Sequence, residues 1–180
     1  MGKKGGQNTL LKSISLDFFK NDVLEVAPLL LGKYLVRKFE NGEIYKDVIV
    51  EVEAYRGEED LACHASKGRT PRTEVMYKSG GHIYVYLIYG MYYMLNIVTG
   101  NENDPQAVLI RGTSKINGPG RITKTFKIDK SFNGKLLIPE NNLWIEDSGK
   151  HYNYYTTTRI GVDYAKEWKY KPWRYVANGY

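Results

Sequence analysis

The chain has 180 residues, 42% of them apolar, enough to bury one proper core, and a single domain is the default. Twenty-six Lys and Arg against 20 Asp and Glu leave a net charge of +6, which favours a polyanionic partner such as nucleic acid. One cysteine excludes an internal disulfide and every Cys-rich zinc site, and no apolar run reaches the roughly 20 residues of a spanning helix; a cytoplasmic protein without metal, cofactor or membrane partner is expected.

The opening "MGKKGGQNTLLK" lacks the apolar core of a secretory signal, and it fits a myristoylation site only as far as Gly6. Residues 1–21 read as a poorly ordered arm ahead of one domain over 22–180. "DVLEVAPLLLG" predicts a helix with Asp22 as N-cap, Glu25 three residues on and Gly32 as its stop. Pro28 inside it predicts a short or bent helix. "KYLVRKF" and "EIYKDVIVEVEAY" flank Asn41-Gly42, a strong hairpin signal. On the second arm, strict alternation sets Val48, Val50, Val52 and Ala54 on one face and Ile49, Glu51, Glu53 and Tyr55 on the other. Residues 56–82 lose periodicity and gather Gly, Pro, Ser and Thr, the pattern of a long functional loop. "IYVYLIY" and "MYYMLNIV" predict a second hairpin turning near Tyr89-Gly90, and "QAVLIRG" a further strand. "KLLI" and "LWIE" read as short strands around "PENN", and "RYVA" closes the chain. Many short strands with one clear helix give an antiparallel α+β class.

Four groups of residues could carry chemistry. Glu51 and Glu53, at i and i+2 of a strand, stand about 7 Å apart, a spacing that inverting glycosidases use for an acid and a base. The plain alternative is a solvated face, against which Ile49 and Tyr55 on the same side weigh. "YVYLIYGMYY" sets Tyr84, Tyr86 and Ile88 on one face and Val85, Leu87 and Tyr89 on the other. Such a stripe is commonly core, but 16 tyrosines against 5 phenylalanines favour a wet surface where bases stack, and Tyr89 beside Gly90 could project from a hairpin tip. Lys67, Arg69 and Arg72, with Lys166, Lys169, Lys171 and Arg174 among Trp168, Tyr170, Trp173 and Tyr175, suit a nucleic-acid backbone better than a merely solvated face. Arg111 closes the apolar "AVLI" and needs a carboxylate; pairing with Glu53 would hold that glutamate ionised. "GPGR" at 118–121 lacks the residues of a phosphate loop and counts as structure, and His64 taken alone reads as structural.

The stretches "EVEAYRGEEDLACHA", "GRTPRTEVMY", "YVYLIYGMYYMLNIV", "AVLIRG", "NGPGR" and "RIGVDYAKEWKYKPWRY", in that order from about Leu24, resemble the alkyladenine (3-methyladenine) DNA glycosylase family. The resemblance implies a monomeric, cofactor-free hydrolase that flips alkylated purines out of double-stranded DNA and leaves an abasic site, with no lyase step. Its substrates would be 3-methyladenine, 7-methylguanine and, more slowly, hypoxanthine. The implied fold is one domain with a curved antiparallel sheet, flanking helices and a protruding hairpin that inserts into DNA. Glu53 becomes the general base and Arg111 a holder of the nucleophilic water. Tyr55, His64, Tyr86, Asn96 and Leu109 become the base pocket, Asn96 obstructing the exocyclic amine of guanine, and Tyr89 becomes the intercalating side chain. Arg69, Thr70, Arg72, Met76, Met91, Lys171 and Arg174 become backbone contacts. Glu51 matches no catalytic residue and takes a supporting role. A cytoplasmic location follows, at the nucleoid in a bacterium, or a nuclear one in a eukaryote. The chain departs from the family where only "GTSKIN" links Arg111 to Gly118, shorter than usual, which could open the pocket wall or trim the DNA-facing surface, and at Pro28. Two readings compete: a lesion-binding module without catalysis, and a small glycosidase, which leaves the positive charge unexplained.

Overall fold

Asp22 accepts a hydrogen bond from the Leu24 amide and starts α1, Val23–Leu30. The structure is a computed structural model that describes residues 13–180, so the signal and acylation readings of residues 1–12 lie outside the described residues. Pro28 sits in the second turn of α1, which stops two residues later with Gly32 at φ 90°, the short form expected. Val23, Val26, Ala27 and Leu30 form its buried stripe, spaced as one helix face requires. Leu16–Lys20 forms a 3-10 turn that seats Phe19 in the core at 0% exposure, a burial that contributes about 1.5–3 kcal/mol.

Strands β1, Tyr34–Lys38, and β2, Ile44–Arg56, make the first hairpin. Its turn is not a two-residue Asn-Gly turn, because of the two only Gly42 takes positive φ, at 85°. Phe39 and Glu43 close a longer loop, with the Phe39 amide donating to the Glu43 carbonyl at 2.8 Å. Strands β3, Ile83–Ile88, and β4, Tyr92–Thr99, make the second, followed by β5, Gln106–Thr113. Then come α2, Pro119–Thr125, and β6, Leu143–Glu146, β7, Tyr154–Thr157, and β8, Arg174–Ala177. The strands run antiparallel in the order β3-β4-β5-β2-β1-β6, with β8 on β2 and β7 on β8. The α+β class expected from the sequence is the one found: α1 packs on β2 and β5, and α2 on β4 and β5. Phe19, Leu30, Val52, Ile97, Ile110, Ile122 and Phe126 share the core between them. No helix among the described residues is long and apolar enough to cross a membrane.

The long β2 is the spine, and it does not alternate throughout. Its N-terminal half pairs with β1, its C-terminal half lies between β5 and β8, and a bulge interrupts the register with β5 between Ile49 and Val52. The register slips by one residue at Glu51 and returns by Val52, so strict alternation of side chains is broken there. Ile49 therefore joins Val52 and Ala54 in the core, which corrects the single apolar face of Val48, Val50, Val52 and Ala54. "KLLI" also differs: it makes only an isolated bridge, Leu136 with His82, because Pro139 has no amide to extend the ladder. "GPGR" turns out to open α2, with Pro119 in its first turn.

The short "GTSKIN" link folds into a tight turn, bridged Gly112 to Asn117. Asp47, 1% exposed, accepts from the Thr113 and Ser114 hydroxyls and the Lys115 amide, fixing the chain just after Arg111.

Candidate active site

Glu53 is fully buried in the middle of the sheet, facing Leu109 of β5 on one side and Arg174 of β8 on the other. Its Oε2 accepts from the Tyr55 hydroxyl at 2.7 Å and its Oε1 from the Ile160 amide at 2.7 Å. The Arg111 guanidinium lies 3.5 Å from Oε2. The pairing expected from the sequence is therefore present, but it does not govern the ionisation: burial raises the Glu53 carboxyl above the ordinary range, against Arg111, the Tyr55 and Ile160 hydrogen bonds and Arg159. A carboxylate poised in that way accepts a proton more readily than an exposed one.

The other carboxylate of the motif shares the same arginine. Arg111 Nε lies 3.5 Å from Glu51 Oε1, and Arg174 Nε lies 3.0 Å from that same oxygen. Gly112 makes room for it: a Cβ there would meet the Glu51 Cβ at 3.1 Å and Oε2 at 3.3 Å.

Beside this cluster opens a cavity of about 500 Å³, a size suited to a small ligand or an extruded base. Tyr55, His64, Tyr86, Asn96 and Leu109, the five expected pocket residues, all line it, as do Arg111 and Ile160. Glu53 sits directly behind this wall, held by three residues that belong to it. His64 contributes its ring, with Nδ1 2.9 Å from the Tyr84 hydroxyl and its centroid 4.5 Å from that of Tyr86. Burial, with Arg72 and Lys67 nearby, pushes His64 down to about 4, so the ring is neutral at physiological pH. Asn96 is 3% exposed, and its amide nitrogen is tied to the carbonyls of Tyr84 at 3.3 Å and Met94 at 3.4 Å. No lysine lines the cavity, and among the described residues no group of three His, Cys, Asp or Glu is placed to hold a metal.

The expected DNA contacts divide. Tyr89 and Met91 stand at the tip between β3 and β4, 85% and 64% exposed, and Tyr89 takes φ 52°, rare for a tyrosine. Arg72 lines the cavity, over the Tyr86 ring at 5.4 Å, while Arg69 in the same loop is paired with Glu74 at 2.7 Å and Thr70 bonds within the loop to Thr73. Lys171 is exposed beside Trp168 and Trp173. Met76, 1% exposed, has its side chain in the cavity wall. Arg174 is already engaged by Glu51.

Reading the sequence missed Arg159 and Asp60. Both are fully buried, paired through 2.6 and 2.9 Å contacts, with Arg159 also donating to the carbonyls of Ala54 and Trp168. The guanidinium packs over the rings of Tyr55 at 4.9 Å and Trp173 at 5.1 Å, and the next residue supplies the amide on Glu53.

The methylpurine-DNA glycosylase (MPG) family model matches residues 17–116 and 113–180. A Clostridium botulinum protein named "Putative 3-methyladenine DNA glycosylase" is 42% identical over 190 aligned positions, covering 90% of this chain and 94% of its own. Proteins of the same name from Borrelia garinii subsp. bavariensis and Methanocella arvoryzae are 47% and 42% identical, covering 83% and 88% of this chain and 87% and 89% of theirs. Fold, cavity and relatives together define a DNA glycosylase, a hydrolase of base excision repair. The chain belongs to the methylpurine-DNA glycosylase family.

Proposed function

We propose that the protein, as a monomer, flips alkylated purines out of double-stranded DNA and hydrolyses their N-glycosidic bond with a water deprotonated by Glu53. The observation that carries this reading is a buried carboxylate directly behind a tyrosine-lined cavity, each of its oxygens holding one donor and keeping a lone pair for water. Glu53 takes a proton from the water as the water oxygen bonds to C1′ of the sugar. The C1′–N bond breaks, and its electron pair leaves with the base. Arg111, 3.5 Å from Glu53 Oε2, orients the water.

The substrates follow from the cavity's aromatic lining. 3-Methyladenine and 7-methylguanine are cationic as nucleosides, so the faces of Tyr86 and Tyr55 attract them while neutral His64 does not repel them. Such bases leave without a proton. Hypoxanthine needs one, and its release is expected to be slower. Asn96, tethered in the cavity wall, takes the role of obstructing the exocyclic amine of guanine in this reading.

Tyr89 fills the gap left in the stack. Tyr89→Ser is expected to weaken binding to a lesion-containing duplex about tenfold while changing single-strand binding little, since stacking on a base contributes about 1–3 kcal/mol. Titrating both DNAs against both proteins checks this, and equal losses would remove the wedge role. The function itself is tested by chromatography of bases freed from a methylated duplex and from a hypoxanthine duplex. Intact alkylated base and an abasic site are expected. Lesion-selective binding with no release from either DNA would instead mark a binding module without catalysis.

A further inference from the structure

Glu51 is the feature of the β2 motif that the proposed reaction leaves unused, although it is only 16% exposed and stands beside the working cluster. Four charged side chains form an alternating row. Arg174 meets Glu51 at 3.0 Å, Glu51 meets Arg111 at 3.5 Å, and Arg111 meets Glu53 at 3.5 Å. The Nε atoms of Arg111 and Arg174 are buried and have no hydrogen-bond partner among the described residues, and both face the same Glu51 oxygen, at 3.5 and 3.0 Å. Gly112 reinforces the point, because any side chain there would press on the Glu51 carboxylate.

We propose that Glu51 is a positioning residue for the glycosylase reaction: it shares Arg111 with Glu53, and so keeps the guanidinium from closing fully onto the general base. This rests on the proposed role of Glu53. An arginine free to form a bidentate pair with Glu53 would occupy the lone pairs that the water needs and would stabilise the ionised, weakly basic carboxylate. With its Nε 3.5 Å from Glu51, Arg111 faces Glu53 through one other nitrogen at the same 3.5 Å, an even sharing between the two carboxylates. Arg174 adjusts the sharing from the other end, since it draws on the same Glu51 oxygen.

The charges around Glu53 fix the direction of each effect. Arg111 comes from β5, Arg159 from the segment before Ile160, Arg174 from β8 and Glu51 from β2 itself. Tyr55, Tyr86 and Tyr164 also face it and stay neutral, because burial raises all three hydroxyls. Removing the Glu51 charge frees Arg111 for Glu53 and takes away a like charge, and both changes favour ionised Glu53. Removing the Arg174 charge leaves Glu51 to Arg111 alone and takes away a cation, and both changes disfavour it.

The test is the pH dependence of kcat/KM for release of 7-methylguanine from duplex DNA, which reports the free enzyme. Glu51→Gln is expected to move the acid limb down by about half a pH unit and to lower kcat about tenfold. Arg174→Gln is expected to move the limb up by a similar amount. In the double variant the Arg174→Gln effect is expected to shrink, since its route runs through Glu51. Tm of each variant separates folding losses from the limb shift. Limbs that stay in place, that move in the same direction, or that add in the double variant would overturn the inference. Retained release by Glu53→Gln would instead overturn the proposed function, and the two failures are distinguishable on the same assay.

Discussion

Glu53→Gln is expected to lower base release about a thousandfold, the loss typical of removing a well-placed general base, while leaving the fold intact. The glutamine oxygen can accept from the Ile160 amide as the carboxylate does, and its NH2 can donate to the Tyr55 hydroxyl, which then acts as acceptor. Only the Tyr55 hydroxyl proton loses its acceptor, and Tyr55 lines the cavity. Because burial raises the Glu53 carboxyl, ionising it in the folded chain carries a cost at neutral pH that the amide does not. The variant is therefore expected to melt no lower than wild type by more than a few degrees. Activity and stability separate cleanly, which a merely structural glutamate would not allow. The same raised carboxyl sets the pH profile of wild type. The ionised form is the working one, so release grows as pH rises through the Glu53 titration and the acid limb lies above the ordinary glutamate range. Arg111→Gln removes the strongest influence opposing burial and is expected to move that limb to still higher pH. An acid limb at the ordinary position, or full release by Glu53→Gln, would remove Glu53 as the base.

What could be read from the sequence was what local pattern encodes. Asp22 as a cap, the two hairpins and the pocket residues on β2, β3, β4 and β5 follow from signals a few residues long or from runs of matched family motifs. The irregularity in β2 was not legible, because a local slip of register against β5 leaves no mark in an unbroken run of Val, Ile and Glu. α2 was legible in part: a proline after Gly118 is a first-turn signal, set aside because "GPGR" was weighed against phosphate loops. β7, "YYTT", has three exposed residues of four and no alternation to betray it. The upward shift of the Glu53 carboxyl was not legible for a physical reason. Sequence supplies the counter-charge at once, but the degree of burial that outweighs it appears only when β5, β8 and the Ile160 segment close around the carboxylate.

The Arg159–Asp60 pair lies beyond sequence patterning altogether, 99 residues apart and at 0% side-chain exposure on both sides, yet its loss is expected to be the most damaging to stability. Asp60→Ala leaves the guanidinium buried with its carboxylate gone, and also frees the Arg56 and Ala62 amides that Asp60 holds at 3.0 and 3.1 Å. Breaking one side of a buried pair costs about 3–5 kcal/mol, a large share of the roughly 5–15 kcal/mol that holds a domain folded. A urea unfolding midpoint for Asp60→Ala set against wild type measures it. The double variant Asp60→Ala with Arg159→Met is expected to recover part of the loss, since an uncompensated charge costs more than no charge at all. A single variant within about 1 kcal/mol of wild type would mean that water reaches the pair and that it is not the clamp described above. The consequence extends to catalysis. Arg159 grips the Ala54 carbonyl, between Glu53 and Tyr55, and the residue after it donates to Glu53, so a loosened pair lets the carboxylate's two donors drift apart. At a temperature where Asp60→Ala is still folded, kcat is therefore expected to fall further than affinity for abasic DNA.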